Sequence, residues 1–203
     1  MDLWVIEREM ITEGYPVVCG VDEAGRGPLA GPVFAAAVIL PVGIEITDID
    51  DSKKLTEKKR ETLFKKITHL ADAYSIASAD HKEVDGSNIL NATYLAMNRA
   101  IDALPVIPSI ALIDGNRNSG ITCKSKCVIG GDGLSVSIAA ASILAKVSRD
   151  RYMVEIAKKY PEYMFEKHKG YGTKLHYEKL REYGPSEIHR MSFLRKFRSS
   201  NSE

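Results

Sequence analysis

Long apolar runs are the first thing this chain lacks: none approaches the roughly 20 residues that a bilayer-spanning helix needs. Its opening, Met1 to Glu13, mixes Asp2, Glu7, Arg8 and Glu9 among the apolar residues, which is not the pattern of a secretory signal. Cysteine is scarce: Cys19, Cys123 and Cys127 cannot all pair within one chain, and Cys19 falls in a predicted buried strand. A reducing, cytoplasmic setting is the expectation. Cys123 and Cys127 have the look of half a zinc site, but no second Cys/His pair lies near them in sequence, so structural zinc is not expected. GxGxxG and GxxxxGK[ST] loops are absent, which disfavours an actin-like ATPase or another phosphotransferase. Net charge is nearly absent too, with 28 Lys and Arg against 27 Asp and Glu. That excludes a uniformly basic coat but hides an asymmetry: residues 146–198 hold 14 basic against 7 acidic side chains.

What is present fits one α/β domain of 203 residues. Apolar runs predict strands over 16–22 and 33–40, joined by a Gly/Pro-rich turn too short for anything but an antiparallel pair. Thr56 reads as the cap of a helix over 57–70. A weaker strand over 73–79 follows, then a helix over 88–104 that Ser87 could cap, and short strands over 110–113 and 126–129. Residues 137–160 read as a helix whose density of alanine implies close backbone packing; shorter helices are predicted over 173–182 and 186–197. A short helix over 4–10 is an option, and Ser199–Glu203 reads as a disordered tail. Strands followed by helical crossovers imply a mixed sheet with parallel members.

Three of those strands switch abruptly from apolar to acidic residues: Val21 to Asp22 and Glu23, Ile113 to Asp114, and Ile129 to Asp132 across two glycines. If these strands are neighbours pointing one way, the acids converge at the sheet edge where open α/β folds gather catalytic groups. Four carboxylates together repel one another unless cations neutralise them. Oxygen donors without histidine or cysteine select Mg²⁺ or Mn²⁺. Two such ions about 3.5–4 Å apart clamp a phosphodiester. Alternatively, each acid caps its own turn.

The stretch Gly20-Val21-Asp22-Glu23-Ala24-Gly25-Arg26-Gly27-Pro28-Leu29-Ala30-Gly31-Pro32-Val33 closely resembles the signature of ribonuclease HII, the bacterial type 2 ribonuclease H. So do Asp51-Ser52-Lys53-Lys54-Leu55, Ile113-Asp114-Gly115-Asn116, Gly131-Asp132, and Ser137 to Val147 with Arg149-Asp150. Lys169-Gly170-Tyr171-Gly172-Thr173 and His189-Arg190-Met191-Ser192-Phe193 complete the set, in the family's order. The resemblance implies a ribonuclease H-like fold: a central five-stranded mixed sheet flanked by helices, a catalytic core over 1–160, and a helical C-terminal extension over 161–203. It implies endonucleolytic cleavage of RNA in RNA–DNA hybrids and 5′ to ribonucleotides embedded in duplex DNA, leaving 3′-hydroxyl and 5′-phosphate ends. Asp22, Glu23, Asp114 and Asp132 match the family's metal-binding catalytic acids. Gly25, Arg26 and Gly27 match the turn that reads the ribose 2′-hydroxyl, and Tyr171 the ring that stacks on the following sugar.

Lys53, Asn88, Ser142 and Lys146 are further candidates for phosphate or duplex contacts. Asn88 alternatively just begins a helix, and Ser142 and Lys146 share one helical face at i, i+4. A monomer is expected. The segment Met191 to Phe197 is an option for a sliding-clamp contact, although a terminal helix packed on the domain reads better. Ribonuclease HIII would be expected to carry an additional N-terminal domain and no arginine in the glycine turn. A non-catalytic hybrid-binding protein would have lost acids that are all present here. Because successive strand residues point to opposite faces, the strand is expected to end or bend between Asp22 and Glu23.

Overall fold

The computed structural model describes residues 2–49 and 55–195. Lys53 with its Asp-Ser-Lys-Lys loop, the tail Ser199–Glu203 and the last two positions of the helix predicted over 186–197 lie outside the described residues.

Five strands form one mixed sheet: β1 (Val18–Ala24), β2 (Val33–Ile39), β3 (Ala73–Ala79), β4 (Ile110–Asp114) and β5 (Ser125–Val128), in the order β3-β2-β1-β4-β5. The short turn does make β1 and β2 antiparallel, and β2 and β3 likewise. β1, β4 and β5 run parallel; helices lie on the path from β1 to β4, while β4 and β5 are joined by turns over residues 115–124. This is the five-stranded mixed sheet that the resemblance implies.

The helices are α1 (Val5–Thr12), α2 (Glu57–Leu70), α3 (His81–Gly86), α4 (Ile89–Asp102), α5 (Val136–Lys159), α6 (Phe165–His168) and α7 (Lys174–Tyr183). Side-chain caps set several of their starts: Thr56 for α2, Ser135 for α5 and Thr173 for α7 each accept a backbone N–H of the first turn. α4 lies on one face of the sheet with Met97, Ala96 and Ala100 against Cys19, Val21, Ala35 and Ala37. α5 covers the other face with Ala139, Ala140, Ile143 and Leu144 against Ala36 and Val38. The alanines let α5 lie almost on the backbone of β1. A Cβ built on Gly20 would stand 2.1 Å from the carbonyl carbon of Ser137, so only glycine fits there. Each fully buried Ile or Leu on that helix contributes roughly 1.5–3 kcal/mol, so α5 is held as a rigid rail beside β1.

Three expectations need correction. α4 is capped by Asn88 rather than Ser87, its side-chain oxygen accepting the Asn91 N–H at 2.9 Å. α3 was not anticipated, although Asp80 and Glu83 form a reciprocal capping box at its start. Residues 186–194 are not helical. They run through turns, and His189 forms an isolated bridge with Ala30. Tertiary pairing wins there because Arg190 N–H donates to Leu29 O and Gly31 N–H to Ile188 O, partners that a helix would replace with local ones.

Candidate active site

β1 and β4 run parallel with Val21 opposite Ile113, so Asp22 and Asp114 come level at the carboxyl end of the sheet. β1 does not stop or bend between its two acids. It continues to Ala24, with Asp22 paired to Ala36 and Glu23 to Ala35 on β2. The alternation therefore persists. Asp22 lies on the α5 face, hydrogen-bonded by Ser142, while Glu23 lies on the α4 face and lines a cleft of about 310 Å³ with Asp114, Leu90 and Thr93. The acids meet around the end of the sheet rather than on one side of it.

Asp22 is only 5% exposed. Burial, then the neighbouring Glu23 and Asp114 carboxylates, push its pKa well above the usual carboxylate range. The Ser142 hydroxyl and the Glu23 N–H, at 2.7 Å, donate to it and oppose that shift. Asp114 is oriented by the Gly131 N–H, 2.7 Å from its Oδ1, and this backbone bond brings the 3-10 turn Gly131–Gly133, with buried Asp132, up to β4. Among the described residues no three Asp, Glu, His or Cys side chains converge closely enough to hold one ion between them. The donor set nonetheless fits a hard, hydrated cation, which uses one or two carboxylates and completes its shell with water and substrate phosphate.

The glycine turn beside β1 is shaped from below. Gly25 has φ +98°, and a Cβ there would stand 2.1 Å from Arg149 Nε. Arg190, fully buried, donates to the carbonyls of Gly25 (2.7 Å), Arg26 and Pro28 (2.9 Å each), and Gly31 (2.9 Å). Burial and nearby Arg149 bring its pKa down to about 9, so it stays charged at neutral pH. A trans peptide points its N–H opposite to its C=O. With the Gly25 and Arg26 carbonyls drawn inward to Arg190, the N–H groups of Arg26 and Gly27 face outward, on residues that are themselves exposed. The Arg26 side chain reaches back to Glu23 Oε1 at 3.3 Å.

Tyr171, 38% exposed, stands next to this turn because Leu29 N–H donates to Gly170 O at 2.8 Å. Its ring lies near Lys146 Nζ (5.6 Å) and the Arg149 guanidinium (5.4 Å), one helical turn apart on α5. Lys146 is also paired with Asp150 at 2.7 Å. Arg149 spends Nε and Nη2 on the carbonyls of Pro32 and Ala30, while its Nη1 is buried without a hydrogen-bond partner. Asn88, exposed at the start of α4, has its carboxamide oxygen committed to the cap. Sequence reasoning quoted Arg149 and Arg190 without giving them a role. For Arg149 a signal existed, since it continues the buried stripe Ser142, Ala145 and Arg149 of an otherwise apolar helix face.

Comparison with known proteins meets this geometry directly. The family model for ribonuclease HII matches residues 19–196. The chain belongs to the ribonuclease HII family. It is 58% identical over 190 residues to ribonuclease HII of Caldicellulosiruptor bescii, covering 94% of this chain and 92% of that one. The crystal structure of the ribonuclease H2 from Pyrococcus horikoshii superposes with a TM-score of 0.76 at 26% identity, covering 92% of this chain and all of that one. The ribonuclease HII of Archaeoglobus fulgidus, solved in complex with PCNA, shares the fold at a TM-score of 0.68 and 23% identity, over 86% of this chain and 94% of that one. As a ribonuclease HII, the chain is a metal-dependent type 2 ribonuclease H, an endonuclease acting on RNA–DNA hybrids.

Proposed function

We propose that this enzyme cuts the RNA strand of hybrids, and nicks duplex DNA 5′ to an embedded ribonucleotide, using Asp22, Glu23, Asp114 and Asp132 to hold two Mg²⁺ or Mn²⁺ ions. The observation that carries this is buried Asp22, crowded by Glu23 and Asp114 at the ends of parallel strands. Such cations would neutralise the acids, activate the attacking water and stabilise the leaving 3′-oxygen, giving 3′-hydroxyl and 5′-phosphate ends. Ser142 and the Gly131 N–H keep Asp22 and Asp114 oriented before substrate arrives. The outward N–H groups of Arg26 and Gly27 receive the 2′-hydroxyl oxygen, the one group that separates RNA from DNA. Tyr171 stacks on the deoxyribose that follows, so it serves the junction from ribonucleotide to DNA rather than a run of RNA. Lys146 sets the charge beside that ring, and Lys53 and Asn88 contact backbone phosphate. Residues 161–203 serve as an extension that carries Tyr171 and braces the turn, and the enzyme works as a monomer. A clamp partner would meet Met191, which is exposed, rather than Leu194, which is fully buried.

The test is a duplex with one ribonucleotide, incubated with the protein and Mg²⁺ or Mn²⁺. A single nick 5′ to the ribonucleotide is expected, and none from Asp22→Asn. Absence of the nick with both metals would overturn the reading.

A further inference from the structure

Behind Tyr171 lies a group of buried histidines that the chemistry above does not use. His176 and His189 are 0% and 1% exposed, and their Nε2 atoms are 3.0 Å apart. His189 Nδ1 faces the N–H of Ser186 at 2.8 Å, with the Ser186 hydroxyl at the same distance. At the other end, His176 Nδ1 faces the carbonyl oxygen of Tyr171 at 3.0 Å. These two ends fix every proton between them. A backbone N–H can only donate, so His189 Nδ1 accepts and its proton sits on Nε2. That proton is donated to His176 Nε2, which leaves the His176 proton on Nδ1. A carbonyl can only accept, and Nδ1–H meets it. Starting from either end gives the same tautomers.

We propose that His176 and His189 are positioning residues: through this one-way chain, Ser186 to His189 to His176 to Tyr171, they fix the loop that presents the Tyr171 ring to substrate. The proposal rests on the reading of Tyr171 as a substrate contact. Other bonds agree with it. Tyr171 N–H donates to His168 O and Thr173 N–H to Tyr171 O, both at 2.8 Å, while Gly170 N–H donates to His168 Nδ1 at 3.2 Å. The His168 and His176 rings stack at 4.3 Å. The loop needs such fixing because Lys169 and Gly170 both hold positive φ, +50° and +83°. An added proton has no place in the chain, since it would set two N–H groups against each other. The surroundings keep it out: His168 and His81 face the pair, Tyr163 and Phe165 wall it with rings, and Glu166 and Lys169 lie by His168.

The experiment compares kcat and KM on a duplex with one ribonucleotide and on an RNA tract paired with DNA. His176→Leu removes the donor to Tyr171. It is expected to raise KM for the single-ribonucleotide duplex about tenfold, with kcat and RNA-tract cleavage nearly unchanged. His176→Asn keeps an N–H where Nδ1–H was and is expected to restore most of the loss. A merely structural histidine would lower both substrates together. Tyr171→Ala separates the two ideas. If it raises KM while a folded His176→Leu does not, the positioning role is overturned and the Tyr171 reading stands. If Tyr171→Ala changes nothing, the Tyr171 reading fails. Nitrogen-15 and carbon-13 NMR of the intact protein then decides the chain by itself. Protons on His176 Nδ1 and His189 Nε2, with the Tyr171 carbonyl shifted in His176→Leu, which lacks the donor, support it. The opposite tautomers, or an unmoved carbonyl, overturn it.

Discussion

Asp22 is the residue on which the site turns, because it is asked to carry charge where water is excluded. Burial and two neighbouring carboxylates raise its pKa, so between its ordinary and raised values the folded chain binds a proton that the unfolded chain releases. The sign follows: this contribution to stability is present at low pH and is lost as pH rises through the raised value. A divalent cation held there as proposed would take the proton's place, so its affinity should rise with pH and its binding should release up to about one proton. Calorimetric titration of Mn²⁺ in two buffers of different ionisation enthalpy measures that proton. Asp22→Asn should abolish its release, and a wild-type protein that binds Mn²⁺ with no proton release would contradict the argument. Much at this scale was legible beforehand. The switch from apolar to acidic residues marked Asp22, Glu23 and Asp114, whereas Ser142, read from the sequence as a candidate phosphate or duplex contact, hydrogen-bonds Asp22 in the fold. The inward burial of Arg149 and Arg190 was not legible, since arginine is almost never fully buried and its partners here are carbonyls more than a hundred residues away.

At the scale of elements, the helices with strong periodicity and side-chain caps came out nearly where the sequence put them, α2, α5 and α7 among them. The segment after Gly184 did not. Its apolar spacing suits a helix, but what decides its shape is pairing with Ala30 and the four carbonyls waiting for Arg190, neither of which leaves a local pattern. The strand carrying Asp22 and Glu23 failed the expected bend for a related reason. β2 continues to pair with it after β4 has dropped away, which leaves Asp22 and Glu23 on opposite faces of a two-stranded ribbon. The histidines that join α7 to the 186–190 segment give this element pair a pH signature. Burial first, and then the other histidines, lower His176 to about 4 and His189 to about 3, against an ordinary 6.5. Groups held neutral in this way contribute stability that is complete above the ordinary value and is lost as pH falls from there toward the lowered ones. The melting temperature should drop between about pH 6.5 and 4, and His189→Gln should remove about one proton from that dependence. Melting curves across the range, read as protons taken up on unfolding, check it.

For the molecule as a whole, the charge asymmetry changes meaning once the side chains are in place. Of the seven excess positive charges over residues 146–198, Arg149 and Arg190 are buried against carbonyls and Arg151 is tied to Glu61 on α2. About four remain to meet a phosphate backbone, so the logarithm of affinity for a duplex should fall with the logarithm of salt at a slope of about −3.5, against about −6 if all seven engaged. Binding of Asp22→Asn to a ribonucleotide-containing duplex between low and moderate salt measures the slope, and a value near −6 would return the buried arginines to the surface. Composition showed the imbalance; only the packing shows which of its charges are spent inside.

The bond from Arg190 to the Gly25 carbonyl spans 165 positions of sequence. During synthesis, the four acids emerge and can fold around their sheet while the glycine turn still lacks its brace. A ribosome must therefore deliver Arg190 before the turn proposed to tell ribose from deoxyribose is braced. On the proposed roles of these residues, discrimination would be the last property acquired, and losing the Arg190 brace would spare the carboxylates proposed to cut while loosening the turn proposed to choose where.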